Sequence, residues 1–255
     1  MTRREDKYWW RLFATGLSFV VFGIGGIILG YLVLPIVALA SHPQNKRRRR
    51  CRYLVHLSFK AFAWFMKTLG VMRWEVRDRE ILRQEGCLVV ANHPSLIDIV
   101  LLISLIPNAT CIVKSAVYSN PFMRGPVSWT GYIPNHSPEQ LIQDCIGELQ
   151  KGSSLVIFPE GTRSVRGQPL RLKRGAAHIW LKVRCGVTLV SITVRPPVLA
   201  KHEKWHDVPA LRPRFKLDVK PPRFVDNTQQ YLRGNIAAKT ITAKWKEYFT
   251  GEIKA

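Results

Sequence analysis

Residues 87–98 read Cys87-Leu88-Val89-Val90-Ala91-Asn92-His93-Pro94-Ser95-Leu96-Ile97-Asp98, an apolar run that turns polar at a single position. The five apolar residues that follow Gly86 indicate a buried strand. Pro94 suits the first position of a helix, because its φ is fixed and the amide donor that it lacks is not needed there. Apolar residues continue at helical spacing as far as Ile106, and Pro107 ends the pattern. We therefore predict a strand, a helix over residues 94–106, and His93 as the N-cap between them.

Asp98 falls in the first turns of this predicted helix, close enough to reach back to His93. A carboxylate that holds one ring nitrogen of a histidine fixes its tautomer and raises its basicity, so the other nitrogen can take a proton from a hydroxyl. Spacing alone does not carry this interpretation, because His202 and Asp207 repeat it and chance supplies roughly 0.2 such pairs. The setting after a buried strand favours His93 as a catalytic base and Asp98 as its orienting partner.

Length and charge narrow the class of protein. The chain has 255 residues, enough for one catalytic domain of ordinary size and an added anchoring segment. Its 39 Lys and Arg against 17 Asp and Glu give a net charge of +22, which predicts a polyanionic partner. Twelve of the basic residues lie within positions 1–70 and flank the most hydrophobic run. An anionic membrane is therefore favoured over nucleic acid, which we do not expect as a partner.

The hydrophobic run extends from Leu12 to Ala40 without a charged residue. As a helix it is about 43 Å long, against about 30 Å for the hydrocarbon core of a membrane. Several glycines and Pro35 leave two options open, one tilted span or a bent re-entrant pair in a single leaflet. The basic cluster at residues 46–52 outweighs the basic residues before Leu12, which predicts that the chain from residue 46 onward is cytoplasmic.

Residues 51–69 form an amphipathic pattern, in which His56, Lys60 and Lys67 share one narrow sector with the preceding Arg49. We predict an interfacial helix with its basic edge at phosphate headgroups, and an ordinary helix packed on the core is the alternative. The five cysteines are scattered and include no C-x-x-C pair, so neither a disulfide framework nor a zinc site is indicated.

After Gly70 the pattern becomes an α/β alternation. The chain is therefore divided into membrane-anchoring helices over residues 1–70 and a globular domain over residues 71–255. Predicted strands cover 72–76, 87–91, 110–113, 154–158 and 187–194, with 215–219 as a further edge strand. Predicted helices cover 94–106, 138–150, 170–185 and 227–250.

A second polar stretch, Pro159-Glu160-Gly161-Thr162-Arg163-Ser164, follows the predicted strand Leu155–Phe158. Ligands of α/β sheets collect just beyond the ends of such strands. Gly161 allows close backbone approach, Thr162 supplies a hydroxyl, and Arg163 can clamp a phosphate. Alone, the stretch could equally be a salt-bridged turn.

Together, in this order and some 67 residues apart, the stretches 92–98 and 158–164 closely resemble the glycerolipid acyltransferases. The resemblance is to the 1-acylglycerol-3-phosphate acyltransferase, or PlsC-like, family, and it covers about residues 50–200. The basic turn Leu172–Ala176 is similar to one that commonly follows in that family. The implied fold is an α/β mixed sheet flanked by helices, with an N-terminal membrane helix and an amphipathic interfacial helix.

The resemblance implies one-step acyl transfer from an acyl-CoA or acyl-ACP (acyl carrier protein) thioester to the hydroxyl of a lysophospholipid acceptor. In that scheme His93 is the general base and Asp98 its orienter, and neither a cofactor nor a metal is needed. The implied substrate-binding residues are Asn92, Ser95, Lys114, Glu160, Gly161, Thr162 and Arg163. With the charge pattern, the resemblance predicts a bacterial inner-membrane protein whose catalytic domain lies on the cytoplasmic face, against anionic headgroups.

One departure from the family pattern concerns the acceptor. After a Gly-aromatic-Ile stretch the family usually has an acidic residue and an arginine, whereas Gly131-Tyr132-Ile133 is followed here by Pro134 and Asn135. Loss of that arginine weakens a phosphorylated acceptor by about 1.5–3 kcal/mol. Either Arg124 or Arg163 compensates, or the acceptor is not lysophosphatidate. The stretch 120–127 resembles PlsC-like enzymes encoded with bacterial aryl-polyene or fatty-acid-like pathways, for which an acyl-ACP donor is expected.

Two rival functions remain at the level of sequence. His202-Glu203-Lys204-Trp205-His206 matches the H-E-x-x-H zinc-protease pattern, but prolines at 196, 197 and 209 leave too short a segment for the required helix. A basic membrane-anchored adaptor without catalysis is the other rival. It predicts that His93→Ala leaves function intact, whereas an acyltransferase loses its activity.

Overall fold

The computed structural model describes residues 7–135, 137–165, 167–220 and 234–254. Its strands are β1 (Arg73–Arg77), β2 (Leu88–Ala91), β3 (Ala109–Val113), β4 (Ile133–Pro134), β5 (Ser154–Ile157), β6 (Val187–Arg195) and β7 (Arg214–Lys220). Its helices are α1 (Tyr8–Ile28), α2 (Leu34–Leu39), α3 (Gln44–Thr68), α4 (Asp98–Ile103), α5 (Ser115–Ser119), α6 (Pro121–Thr130), α7 (Pro138–Gln150), α8 (Gly175–Val183) and α9 (Gly234–Lys254).

The seven strands form one mixed sheet in the order β1-β7-β6-β2-β5-β3-β4. The five strands from β6 to β4 run parallel, and β7 is antiparallel to β6. In β2 every residue is buried, as is typical of a strand covered on both faces. The predicted mixed sheet flanked by helices is therefore confirmed, and β2 lies near its centre.

The main difference in the sheet concerns β7, which was expected at an edge. It lies between β1 and β6 and pairs with both, and β1 occupies the edge instead. Alternation of polar and apolar residues does not distinguish an edge strand from an inner one, because the pattern reports the faces of a strand and not its neighbours.

The helix after His93 starts later than its sequence pattern predicts. Helix α4 begins at Asp98 and Ile97 is its N-cap, so the prediction of His93 as N-cap was wrong. The segment before Asp98 is instead held by long-range bonds, since the Leu96 amide donates to the Leu199 carbonyl and Ser95 Oγ donates to the Val198 carbonyl. Similarly, α8 begins at Gly175 and not at residue 170. The first part of the predicted terminal helix, residues 227–233, lies outside the described residues.

The hydrophobic N-terminal segment is one continuous helical run, Tyr8–Leu39, in which a π-helical turn at Leu29–Val33 joins α1 to α2. By length and composition it is the one helix of the described residues that could cross a membrane. Several of its small and polar residues, such as Ala14, Ser18 and Gly30, are buried against the rest of the protein. Its exposed side chains are large and apolar, such as Phe13 and Ile24.

Helix α3 packs on α4 and α6 and contributes buried residues to the same core as β2 and β7. His56, which was placed on the basic edge of an interfacial helix, is only 8% exposed and its Nδ1 lies 2.9 Å from the Ile103 carbonyl. The alternative of a helix packed on the core therefore describes this part of α3, because tertiary contacts decide which face is buried.

Two arginines of the cluster at the start of α3, Arg48 and Arg52, bind a carboxylate inside the protein. Arg52 is buried, lies 2.6 Å from Glu148 Oε2 on α7, and also donates to the Ser153 hydroxyl. Arg48 reaches the other carboxylate oxygen of Glu148 at 3.1 Å. Burial raises the pKa of Glu148, but the charges and hydrogen bonds of Arg52 and Lys151 together outweigh burial, so the pKa is lowered. These pairs fasten α3 to α7.

Candidate functional site

The candidate residues follow three strands and lie at the carboxyl ends of those strands. His93 follows β2, the stretch 158–164 follows β5, and Lys114 follows β3. Since β2, β5 and β3 are adjacent and parallel, their carboxyl ends meet at the same edge. The structure therefore brings together the two motifs that are 67 residues apart in the sequence.

His93 and Asp98 form a hydrogen-bonded pair at this edge. Nδ1 of His93 lies 2.9 Å from Oδ2 of Asp98, and the same oxygen accepts a bond of 2.6 Å from the Ser95 amide. An ionised carboxylate only accepts hydrogen bonds, so Nδ1 carries the proton and Nε2 is left free as a base. The ring stacks on Phe158, with centroids 3.9 Å apart and planes at 14°. The His93 side chain is 15% exposed, so it is oriented by packing and still accessible.

Asp98 is fully buried, and its second oxygen, Oδ1, has no hydrogen-bond partner within the described part of the chain. Burial raises the pKa of Asp98 to about 6, although the bond to His93 opposes the shift. A buried carboxylate with few hydrogen-bond partners interacts strongly with a neighbouring cation. His93 becomes such a cation when it is protonated. The pair is therefore suited to hold a proton taken up at Nε2.

Glu160 connects the two motifs. Its Oε1 accepts a bond of 2.8 Å from the backbone amide of His93, and its Oε2 accepts one of 2.8 Å from the Ser164 hydroxyl. The Ser164 amide in turn donates to the His93 carbonyl at 2.7 Å. Burial raises the pKa of Glu160 above its usual value. Oε1 thus holds the backbone of His93 and Oε2 holds the side chain of Ser164, so both carboxylate oxygens have partners inside the protein.

Asn92 and Ser95 are also engaged inside the protein. The Asn92 side chain exchanges two hydrogen bonds with the backbone of Ile192 on β6, at 2.8 and 2.7 Å. Ser95 is completely buried and donates to the Val198 carbonyl at 2.8 Å. Both residues flank His93 as expected, but their side chains hold the loop in place, so a direct role in substrate binding has no support from their contacts.

Arg163 and Thr162 lie on the turn after β5 and are half-buried. One amino group of Arg163 donates to the carbonyls of Leu199 and Ala200, at 2.9 and 3.1 Å. The guanidinium has five N–H donors, so the others can still serve a phosphate. Gly161, with φ of +71°, adopts the left-handed backbone that a side chain disfavours.

Lys173 is a candidate that the motif analysis did not single out. Its amide donates to the Pro159 carbonyl at 2.7 Å, and its Nζ lies 3.0 Å from the point where a Cβ on Gly161 would be. Within the described residues this ammonium has no anionic partner. It therefore places an unpaired positive charge over the turn that contains Arg163. The signal was present in the basic turn 172–176, but only the fold shows which of its cations faces the site.

Asn135 follows the edge strand β4, and Lys114 follows its neighbour β3. The Asn135 amide donates to the Val113 carbonyl at 2.9 Å, and Lys114 is exposed. Arg124 is exposed on α6, the helix that packs against α1. The position where the family has an arginine thus belongs to the same edge as His93.

The H-E-x-x-H stretch is not helical. Residues 201–207 form turns, His202 has φ of +73°, and Glu203 accepts a bond from the Ala200 amide. Trp205 instead packs on α1, with its ring near Gly16 and Phe19. Across the described residues no group of three His, Cys, Asp or Glu could hold a metal ion. The site as a whole offers an oriented base, with the cations Lys114, Arg163 and Lys173 at the same ends of the strands, which suits deprotonation of a hydroxyl on a phosphorylated molecule.

Comparison with known proteins gives consistent results. The sequence profile of a family described as Acyltransferase matches residues 73–195. A chloroplastic 1-acyl-sn-glycerol-3-phosphate acyltransferase of Brassica napus is 34% identical over 171 residues, which are 64% of this chain and 49% of that protein. A 1-acyl-sn-glycerol-3-phosphate acyltransferase of Pseudomonas aeruginosa is 25% identical over 64% of this chain and 62% of its own length. The chain thus spans about half the length of the curated relatives it matches.

A solved structure has the same fold. The crystal structure of PlsC, the 1-acyl-sn-glycerophosphate acyltransferase of Thermotoga maritima, superposes with a TM-score of 0.70 and covers 99% of this chain and 100% of its own, at 19% identity. The similarity extends over the N-terminal helices as well as the sheet.

Proposed function

Because this chain belongs to the PlsC-like acyltransferase family, we propose that it transfers a fatty acyl group from a thioester to a lipid hydroxyl. The acceptor best supported by the relatives is 1-acylglycerol-3-phosphate. The single observation that carries the mechanism is the bond between His93 Nδ1 and the buried carboxylate of Asp98.

In the proposed step, Nε2 of His93 takes the proton of the acceptor hydroxyl while the oxygen of that hydroxyl attacks the thioester carbonyl. The C–S bond then breaks, the acyl ester forms, and the proton passes from His93 to the departing thiolate. Asp98 stabilises the imidazolium in between. Glu160 and Ser164 keep the backbone of His93 at a fixed distance from the turn that faces the acceptor.

Recognition of the acceptor phosphate is assigned to Arg163, Lys114 and Lys173. A guanidinium and two ammonium groups at one edge of the sheet complement a phosphomonoester. Lys173 supports lysophosphatidate as the acceptor, because it brings a cation to a site that has Asn135 where relatives of the family usually have arginine. The same asparagine favours a second candidate, a lipid acceptor without the phosphate in a specialised pathway.

The donor and the location are proposed on more general grounds. An apolar N-terminal helix and bacterial PlsC-type relatives indicate membrane association. We assign residues 1–70 to the membrane-facing part and residues 71–255 to the acyltransferase part, on the cytoplasmic face of a bacterial inner membrane. Acyl-CoA and acyl-ACP both remain candidate donors.

The test is thiol release by the purified full-length protein with each donor and with acceptors that carry or lack the phosphate. His93→Ala should abolish release while membrane binding persists. The matched control is His206→Ala, since His206 also lies beside a carboxylate, at 3.8 Å from Asp207, but is exposed. Unchanged release in His93→Ala, or no release with any pairing, would contradict the proposal.

A further inference from the structure

A cavity of about 550 Å³ lies far from the candidate active site. It opens to the surface and is lined by α2, by the first turns of α3, and by the loops before β2 and β3, which contribute Glu85 and Asn108. Because His93 follows β2 whereas Glu85 precedes it, the cavity and the active site lie at opposite ends of the strands. Strands of four or five residues separate them by roughly 13–17 Å.

The charged side chains that line the cavity are mainly cationic. Lys46, Arg49 and Arg50 line it, against the single carboxylate of Glu85. Arg49 Nη2 lies 2.8 Å from Glu85, and Arg50 Nη1 donates to the Ser41 hydroxyl at 2.9 Å. Each guanidinium has five N–H donors, so most of them remain for an oxyanion. Arg49 and Arg50 are exposed, unlike Arg48 and Arg52, which pair with Glu148.

Asn108 adds an independent sign of a ligand. Its side chain is 95% buried in the wall of the cavity, and its Nδ2 donates to the Gly152 carbonyl at 3.2 Å. Its Oδ1 is buried and accepts no hydrogen bond from any residue that the structure describes. A buried acceptor without a donor is costly, and a hydroxyl of a bound molecule would satisfy it.

The remaining wall is apolar and continues onto the surface. Val37 and Leu54 line the cavity, and on either side of Val37 the side chains of Ile36 and Leu39 are 58% and 82% exposed. These residues end the long apolar helical run, so a molecule whose anionic end occupies the cavity can lay hydrocarbon against α2. A free phosphate would make no use of that surface.

We propose that this cavity binds the headgroup of an anionic phospholipid that also carries a headgroup hydroxyl, at a site separate from acyl transfer. Lys46, Arg49 and Arg50 bind the phosphate, Asn108 accepts from the hydroxyl, and the acyl chains lie on α2. Basic residues beside a membrane segment attract anionic lipid in general. A cavity with a buried polar wall makes that attraction specific for one headgroup.

The test measures binding of short-chain phosphatidylglycerol to the full-length protein in zwitterionic detergent micelles, without acyl donor or acceptor. Replacing Lys46, Arg49 and Arg50 together by Gln should weaken binding on the order of 100-fold. The control variant replaces Lys239, Lys244 and Lys246, three exposed lysines of α9, by Gln and loses the same charge. It should bind like the parent, and equal losses in both variants would overturn the proposal in favour of bulk attraction.

A second variant separates the cavity from its charges. Leu54→Trp fills the cavity and keeps every cation. It should weaken phosphatidylglycerol binding at least about tenfold, because the larger side chain occupies the space of the headgroup. Unchanged binding in Leu54→Trp would overturn the proposal, and so would inorganic phosphate that binds as tightly as the lipid. Thermal unfolding shows that each variant is folded. Since binding is measured without substrates, its outcome is independent of the proposed acyl transfer.

Discussion

Asp98 is the residue at which stability and chemistry conflict. Burial raises its pKa from an ordinary value of 3.8 to about 6. The folded protein then binds this proton more tightly than the unfolded chain, so the contribution to stability is favourable at low pH and is lost as the pH rises through about 6. Near neutral pH the buried negative charge costs on the order of 3 kcal/mol of unfolding free energy.

Asp98→Asn should therefore lower acyl transfer by roughly 10²- to 10⁴-fold and leave the protein at least as stable near neutral pH. Its stability advantage should shrink as the pH falls toward about 4, where the parent carboxyl is protonated. In the parent, the rate should fall as the pH drops below about 6 because Asp98 no longer supports an imidazolium. Thermal unfolding and thiol release across a pH series measure both effects. A variant that melts clearly below the parent near neutral pH would contradict the assignment.

The role of Lys173 also depends on a single group, its side-chain ammonium. Lys173→Met should raise KM for a phosphomonoester acceptor by roughly 10- to 100-fold, the effect expected for a lost hydrogen bond to a charged group. The KM for an acceptor without phosphate and the kcat should change little. Lys182→Met, which removes an exposed lysine from α8, is the control of equal charge. Equal changes for both acceptors would show that Lys173 does not contact the phosphate.

At the scale of elements, the decisive contact is the one between the loops after β2 and β5. Glu160→Ala removes the acceptor of the His93 amide, and a small displacement of a base can cost about 10²-fold in rate. We expect kcat to fall by roughly that factor with KM little changed, whereas Glu160→Gln, which keeps an amide oxygen, should recover part of the rate. Steady-state kinetics with varied acceptor distinguishes this from a role in acceptor binding, for which KM would rise instead.

The elements also show what local sequence can and cannot predict. Strands β2 and β5 and helix α7 can be recognised because apolar spacing is a local property of the sequence. The meeting of the two motifs can also be predicted, because each motif follows a strand of the same sheet. The start of α4 and the engagement of Glu160 depend on partners at Leu199 and His93, which are far away in the sequence. Arg52 illustrates the same point, since nothing in an arginine run indicates which member will be buried against Glu148.

At the scale of the whole molecule, the N-terminal helical run is an integral part of the folded protein. Gly30 on the run faces Gly125 and Pro126 of α6 so closely that a Cβ on Gly30 would lie 2.4 Å from Pro126 Cδ. The Gly30 carbonyl also accepts a bond of 3.1 Å from the Trp129 indole. Contacts between small residues of this kind allow two helices to approach closely.

Gly30→Ala should therefore destabilise the protein by about 1–3 kcal/mol through overpacking. Gly25→Ala is the matched control, because a Cβ there meets nothing within 4 Å, and it should be neutral or slightly stabilising. Thermal unfolding of both variants in the same detergent gives the comparison. Equal melting temperatures would mean that the π-helical turn of the N-terminal run and α6 are not closely packed in solution.

Arg11 adds a consequence for the biogenesis of the protein. Its guanidinium is buried in α1 and donates to the carbonyls of Pro209, Ala210 and Leu211, which follow it by 198, 199 and 200 positions. Arg11 therefore leaves the ribosome long before these partners are translated. As a result, α1 cannot form its final contacts until most of the chain has been synthesised. Crosslinks between α1 and residues 209–211 should accordingly form in finished chains and not in nascent ones that stop before residue 209.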